Sequence, residues 1–210
     1  MRHMIAVLVS TTALLTTPLA LAGGDAANGK NIALQKGCAG CHGVDGNSPA
    51  ATWPKIAGQG EKYLVKQLKA FRDKDVNNSG RANAVMYGFS KDLNDQEIND
   101  ISAYFAGQKL KFGEADASSV DHGLQLYRGG DKTRGIPSCM GCHGPTGAGN
   151  PASGYPRLAG QWASYTESQL NQFKLEERRN DENRMMRDIA SKMYPEDIKA
   201  VSDVIQGLHD

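Results

Sequence analysis

The chain has 210 residues, 24 Lys and Arg against 23 Asp and Glu, and 40% apolar and 7% aromatic residues, a balance that excludes a disordered tail, a collagen-like repeat and a multispan membrane protein. Its formal net charge of +1 supplies no broad basic field, so nucleic acid is not an expected partner. Four cysteines are too few for a disulfide-dense scaffold, and the length suits one domain or two small ones.

In chain order the first element is a targeting segment. Arg2 and His3 form a short polar start, residues 5–19 are mostly apolar and uncharged, and Ala20-Leu21-Ala22 has the small-x-small pattern of a cleavage site. The apolar run is broken by Ser10, Thr11, Thr12, Thr16, Thr17 and Pro18 and is shorter than the roughly 20 residues that a membrane span needs. An export signal over 1–22, cleaved after Ala22, is therefore expected rather than an anchor. What remains is formally neutral and is expected to be exported and soluble.

Residues 27–36 lead into GCAGCHG at 37–43, and the pattern returns as SCMGCHG at 138–144, using all four cysteines. Each copy reads Cys-x-x-Cys-His. Two thiols about one helical turn apart can add across the two vinyl groups of one haem, and the next residue can place an imidazole under the iron. The expected attachment residues are Cys38, Cys41, Cys139 and Cys142, and the expected iron ligands beside them are His42 and His143. A four-cysteine zinc site, a thioredoxin-like dithiol or two structural disulfides would each account for the cysteines. None accounts for a histidine directly after both pairs, and the dithiol reading also lacks a surrounding βαβ pattern.

The duplication runs beyond the cysteines. WPKIAGQGEKYLVKQLKAFR at 53–72 matches YPRLAGQWASYTESQLNQFK at 155–174, with eight of twenty positions identical. Tyr63, Gln67, Leu68 and Phe71, like Tyr165, Gln169, Leu170 and Phe173, fall on one helix face, which is expected to pack on the haem or on a neighbouring helix. Pro54 and Pro156 either supply a backbone carbonyl to the second nitrogen of the ligating imidazole or only shape the loop. Trp53 and Tyr155 either wall the porphyrin or fill the core.

A six-coordinate iron needs a second axial ligand, and a thioether opposite histidine favours ferrous iron and raises the potential. Met86 lies 44 residues after His42 and Met186 lies 43 after His143, and the two correspond at an offset of 100, as do Leu93 and Met193, and Ile98 and Ile198. Met185 breaks that offset by one, and Met193 aligns with an apolar leucine. Met86 and Met186 are thus the expected sixth ligands, with core filling as the alternative for either.

Both halves end in a helix, over 94–107 and 194–207. Asn94 with Glu97 resembles a capping box, Pro195 suits a first helical position, and Ile98, Ile101 and Phe105, like Ile198, Val201 and Ile205, form an apolar stripe. The polar GEADASS at 113–119 divides the chain. Val120 to Tyr127 then repeats the opening segment, and RGGDKTRGIP before the second motif carries an insertion of about seven residues. The charged LEERRNDENR at 175–184 is read as a solvated loop, with partner steering as the alternative. Met140 is read as a packing or surface residue, and His122 and His209, which have no counterpart in the other half, as surface residues.

Strand signals are nearly absent, so the expected architecture is all-α: two helical domains of about 90 residues, each folding poorly without haem because its own core is modest.

With GCAGCHG and SCMGCHG, the paired PKIAGQ and PRLAGQ loops, VMYG and MMRD around the methionines, and the endings AYFAG and DVIQG, residues 23–210 resemble the dihaem cytochrome c4 family. The resemblance implies two tandem class I cytochrome c domains, 23–113 and 114–210, with two covalently bound haem c groups facing each other across a pseudo-twofold interface. It implies an exported electron carrier rather than an enzyme, often associated with the membrane. Its redox partners would be a donor such as a quinol-oxidising complex and an acceptor such as a terminal oxidase. Two alternatives keep the haems: an electron-accepting subunit of a flavoprotein dehydrogenase, and a dihaem peroxidase, which needs one iron without a fixed sixth ligand.

Overall fold

The computed structural model describes residues 23–73 and 80–209, so the expected export signal over 1–22 lies outside the described residues. Among the described residues ten α-helices and one 3₁₀ turn carry the fold, and the β pairing is limited to three isolated bridges. The all-α expectation holds.

Helix α1 (Ala26–Gln35) starts where the Asp25 carboxylate accepts from the amides of Ala27 and Asn28, at 2.8 and 3.1 Å. It crosses α5 (Asp95–Ala106), whose Asn94–Glu97 capping box forms as the sequence suggests. The crossing is close enough that a β-carbon on Gly29 would fall 1.9 Å from the Asp100 carbonyl oxygen, so only glycine fits. The second half repeats the device with α6 (Val120–Gly129) on α10 (Pro195–Gly207), where a β-carbon on Gly123 would lie 2.3 Å from the Ala200 oxygen. Above these crossings lie two separate cores. The first gathers Ile32, Leu64, Leu93, Ile98, Ile101 and Phe105. The second gathers Tyr127, Ile136, Leu170, Met193, Ile198, Val201 and Ile205.

The two halves tie these crossings with different buried carboxylates. In the first, Asp100 accepts from the Asp25 amide and from Asn28 Nδ2, at 2.8 and 2.7 Å. In the second, Asp197 takes the role, and the inserted loop supplies its partner. Asp131 and Ile136 bridge, the Asp131 carboxylate holds Arg134 through Nε at 2.7 Å, and Arg134 in turn reaches Asp197. His122 lies at the surface as expected, with its side chain 45% exposed, and its Nε2 lies 3.0 Å from Asp197 Oδ1. A carboxylate that is 1% exposed must be paired, and this is where its partners come from.

Helices α3 (Glu61–Arg72) and α8 (Ala163–Lys174) carry the repeated helix face. Leu68 and Leu170 do pack on the cores, but Tyr63, Gln67, Tyr165 and Gln169 present their polar ends to the opposite half. What they meet is Arg81 and Arg178, which form an isolated antiparallel bridge. The charged stretch 175–184 is therefore not simply a solvated loop, because Arg178 within it is only 6% exposed. A buried phenol and a buried amide need partners, and the guanidinium groups supply several donors each. The connection between halves is also pinned. Lys111 donates its amide to Asn47 Oδ1 at 2.7 Å on one side, and Gln206 Nε2 donates to the Glu114 carbonyl at 2.8 Å on the other.

Candidate haem sites

The short helices α2 (Cys38–His42) and α7 (Met140–His143) carry the two Cys-x-x-Cys-His motifs. Helical spacing places each cysteine pair one turn apart with its histidine adjacent. All four thiols are free and half-buried. Burial pushes the Cys38 thiol above its ordinary value and the Cys139 thiol up to about 11. A redox-active dithiol needs the opposite, a lowered value, so the thioredoxin-like reading fits poorly. The two pairs sit in different cores, and among the described residues no three His, Cys, Asp or Glu side chains come together to hold a metal ion. That removes the single four-cysteine zinc site.

His42 and His143 are each 7% exposed. His42 Nδ1 lies 2.9 Å from the Pro54 carbonyl oxygen and His143 Nδ1 lies 3.0 Å from that of Pro156. A carbonyl can only accept, so Nδ1 carries the proton and Nε2 keeps its lone pair, the tautomer that a metal ligand needs. Burial pushes both imidazoles below their ordinary range, with the proline carbonyls opposing, which favours the neutral ring. The carbonyl role expected of Pro54 and Pro156 is realised in both halves.

Met86 stands in the first turn of α4 (Ala84–Ser90), where Asn83 Oδ1 accepts from its amide at 2.9 Å. One cleft is lined by Cys38, Cys41 and His42 together with Trp53, Met86 and Phe89. Val85 and Phe89, 47% and 43% exposed, are large apolar side chains at this cleft that a flat apolar group would cover. In the second half Met186 belongs to α9 (Met185–Ala190) and packs, with Cys139, against the Tyr127 and Leu170 core. Asp181 fixes the start of this helix, accepting from the Arg187 amide at 3.0 Å and from its Nε at 2.7 Å. The Tyr155 ring stands edge-on to His143, with centroids 6.2 Å apart. Thiols for two thioether bonds, a neutral imidazole of fixed tautomer and a neighbouring methionine make a donor set that suits covalently attached haem in each half.

Four residues at this centre escaped the sequence reading. Arg81 and Arg178 bridge the halves. Gln59 and Gln161, five residues beyond the paired prolines in the AGQ loops, hydrogen-bond across to the opposite loop. The one signal that could have found the glutamines was the identity of AGQ in both repeats.

The cytochrome c family profile matches this chain twice, over residues 26–109 and 121–209. The chain is 46% identical to cytochrome c4 of Pseudomonas aeruginosa, over 92% of this chain and 93% of that protein. It is also 36% identical to a thiosulfate dehydrogenase electron acceptor of Thiomonas intermedia, over 79% of this chain and 75% of that one. The crystal structure of reduced recombinant cytochrome c4 from Pseudomonas stutzeri superposes with a TM-score of 0.85 at 45% identity, covering 89% of this chain and all of that one. Two helical cores, each with its own Cys-x-x-Cys-His helix, and a likeness of this extent lead to one assignment: the chain belongs to the dihaem cytochrome c4 family, electron carriers built from two tandem cytochrome c domains with two covalently bound haem c groups.

Proposed function

We propose that the protein carries electrons in the periplasm, after cleavage of its export signal behind Ala22, with domains at 23–113 and 114–210. In this reading Cys38 and Cys41 anchor one haem and Cys139 and Cys142 the other. His42 and Met86 ligate the first iron, and His143 and Met186 the second. Bound haem c supplies a reversible one-electron iron couple. The protein's own residues hold it: the cysteines fix it covalently, Pro54 and Pro156 orient the imidazoles, and Trp53, Val85 and Phe89 shield one cleft from water. The observation that carries the reading is the same histidine-to-proline carbonyl bond at 2.9 and 3.0 Å in both halves.

The proposed donor is a quinol-oxidising complex and the proposed acceptor a terminal oxidase, with the carrier held loosely at the membrane. A second reading, an electron-accepting subunit of a dehydrogenase, draws on the likeness to the thiosulfate dehydrogenase electron acceptor. Stable copurification with a catalytic chain would favour it.

Intact mass under denaturing conditions, with the visible and near-infrared spectrum of exported protein, tests the site assignment. A mass gain of two haems and low-spin iron with a methionine-to-ferric charge-transfer band are expected. A high-spin haem with peroxide turnover would point instead to a peroxidase.

A further inference from the structure

The loop that follows each haem-binding motif holds a buried bond to the other half of the molecule, and the bond is reciprocal. Gln161, from the second half, accepts from the Lys55 amide through Oε1 at 3.0 Å and donates from Nε2 to the Lys55 carbonyl at 2.8 Å. Gln59, from the first half, accepts from the Arg157 amide at 2.8 Å and donates to the Arg157 carbonyl at 2.9 Å. Each glutamine side chain thus copies a strand edge toward one residue of the opposite loop.

Those residues are not arbitrary. The Lys55 amide belongs to the same peptide group as the Pro54 carbonyl, and the Arg157 amide to the same group as the Pro156 carbonyl. One planar peptide therefore accepts from His42 at its oxygen and donates to Gln161 at its nitrogen. Its counterpart accepts from His143 and donates to Gln59. Resonance couples the two ends of a peptide. A donor bond made at the nitrogen strengthens the oxygen as an acceptor, by about 10–30% per bond in a hydrogen-bonded chain. A stronger acceptor at Nδ1 gives the imidazole more anionic character and makes it a more basic ligand.

We propose that Gln59 and Gln161 are positioning residues that act across the domain interface: Gln161 sets the orientation and basicity of His42, and Gln59 those of His143. Each iron's histidine is tuned by the domain that does not contain it, so separating the domains changes both sites. The burial of Lys55 and Gln59, 6% and 8% exposed, keeps water from replacing either bond. Within its own half each glutamine only accepts from the next amide, Gly60 for Gln59 and Trp162 for Gln161, at 2.9 and 3.1 Å.

The inference rests on the histidine ligation proposed above, and the test separates the two. Potentials are measured for holoprotein carrying Gln161→Leu or Gln59→Leu, with the two haems assigned by the lowered potential in Met86→Ala and Met186→Ala. Gln161→Leu should raise the potential of the haem on Cys38 and Cys41 and leave the other nearly unmoved, and Gln59→Leu should do the reverse. Gln161→Glu, which keeps the acceptor oxygen, should bring the first potential back to or below its starting value. In the reduced, diamagnetic protein the His42 Nδ1 proton should move upfield in Gln161→Leu while that of His143 stays. A shift confined to the glutamine's own domain, equal shifts of both haems, or no shift overturns the proposal. If the leucine variants do not fold, the glutamate pair decides it: the His42 Nδ1 proton should move downfield in Gln161→Glu and that of His143 in Gln59→Glu, and a shift of the wrong histidine, of both equally or of neither overturns the proposal. Wild-type protein lacking two haems or the methionine charge-transfer band would overturn the ligand reading itself.

Discussion

Arg81 and Arg178 exchange partners across the domain interface. Arg81 donates to the Tyr165 hydroxyl of the second half at 2.6 Å, and Arg178 donates to the Tyr63 hydroxyl of the first at 3.0 Å. Each also spans the two glutamines: Arg81 bonds Gln67 and Gln169 at 2.7 and 3.1 Å, and Arg178 bonds Gln169 and Gln67 at 2.8 and 3.2 Å. Each guanidinium stacks over the phenylalanine of its own half, Phe71 or Phe173, at 4.5 and 4.4 Å. Burial, then the neighbouring Arg81 charge, pushes Arg178 below its ordinary range, while Tyr63, which burial alone would raise, is held low by Arg178 and Arg81.

This network should make the halves unfold together. Arg178→Leu removes charged hydrogen bonds worth about 1.5–3 kcal/mol each, partly offset by the relief of its repulsion with Arg81. The expected net effect is a loss of about 2 kcal/mol and two resolved calorimetric transitions in place of one. Combining it with Arg81→Leu should cost less than the sum of the single changes, because both act on one network.

Met86→Ala should abolish half of the methionine-to-iron charge-transfer intensity and lower one potential, and Met186→Ala should do the same for the other haem. Met185→Ala, one residue off the repeat register, should leave both potentials in place. Spectroelectrochemical titration of the three variants separates them, and a band lost in Met185→Ala would reassign the second ligand.

Gly29→Val and Gly123→Val place atoms against backbone oxygens, and at Gly123 also against the Val204 side chain. Overpacking usually costs about 1–3 kcal/mol, and a backbone obstruction sits at the upper end. Each variant should lower the melting temperature of the single coupled transition, read by the visible haem bands.

Asp197 is a buried carboxylate whose desolvation, which raises its pKa, is outweighed by Arg134, the Tyr194 amide and His122, leaving it below the ordinary carboxylate range. A depressed folded value means stability that is complete above the unfolded pKa, about 3.9, and lost as pH falls through the folded value. Asp197→Asn should therefore lower the melting temperature at pH 7, and its deficit relative to wild type should shrink below about pH 4. A deficit unchanged from pH 7 to pH 3 would show that the charge of Asp197 contributes nothing.

Features set by residues close in sequence were legible from the chain alone. The Cys-x-x-Cys-His motifs, the Asn94–Glu97 capping box, Pro195 at its helix start and the apolar stripes of α5 and α10 all depend on fixed helical spacing. Duplication extended that reach, since a position repeated 100 residues later marks a shared role, and it also pointed to the prolines that orient the histidines.

The tertiary structure alone decided how the two halves meet. Arg178 and Tyr63 lie 115 residues apart and Arg81 and Tyr165 lie 84 apart, beyond the reach of any local spacing rule. A polar residue on a helix face announces that it needs a partner, but not whether water, its own core or another domain supplies it. That depends on which surfaces are removed from solvent together, a property of the assembled fold. For the same reason Arg178 looked like part of a solvated loop until Tyr63 stood beside it, and nothing in the chain announced that His122 meets Asp197.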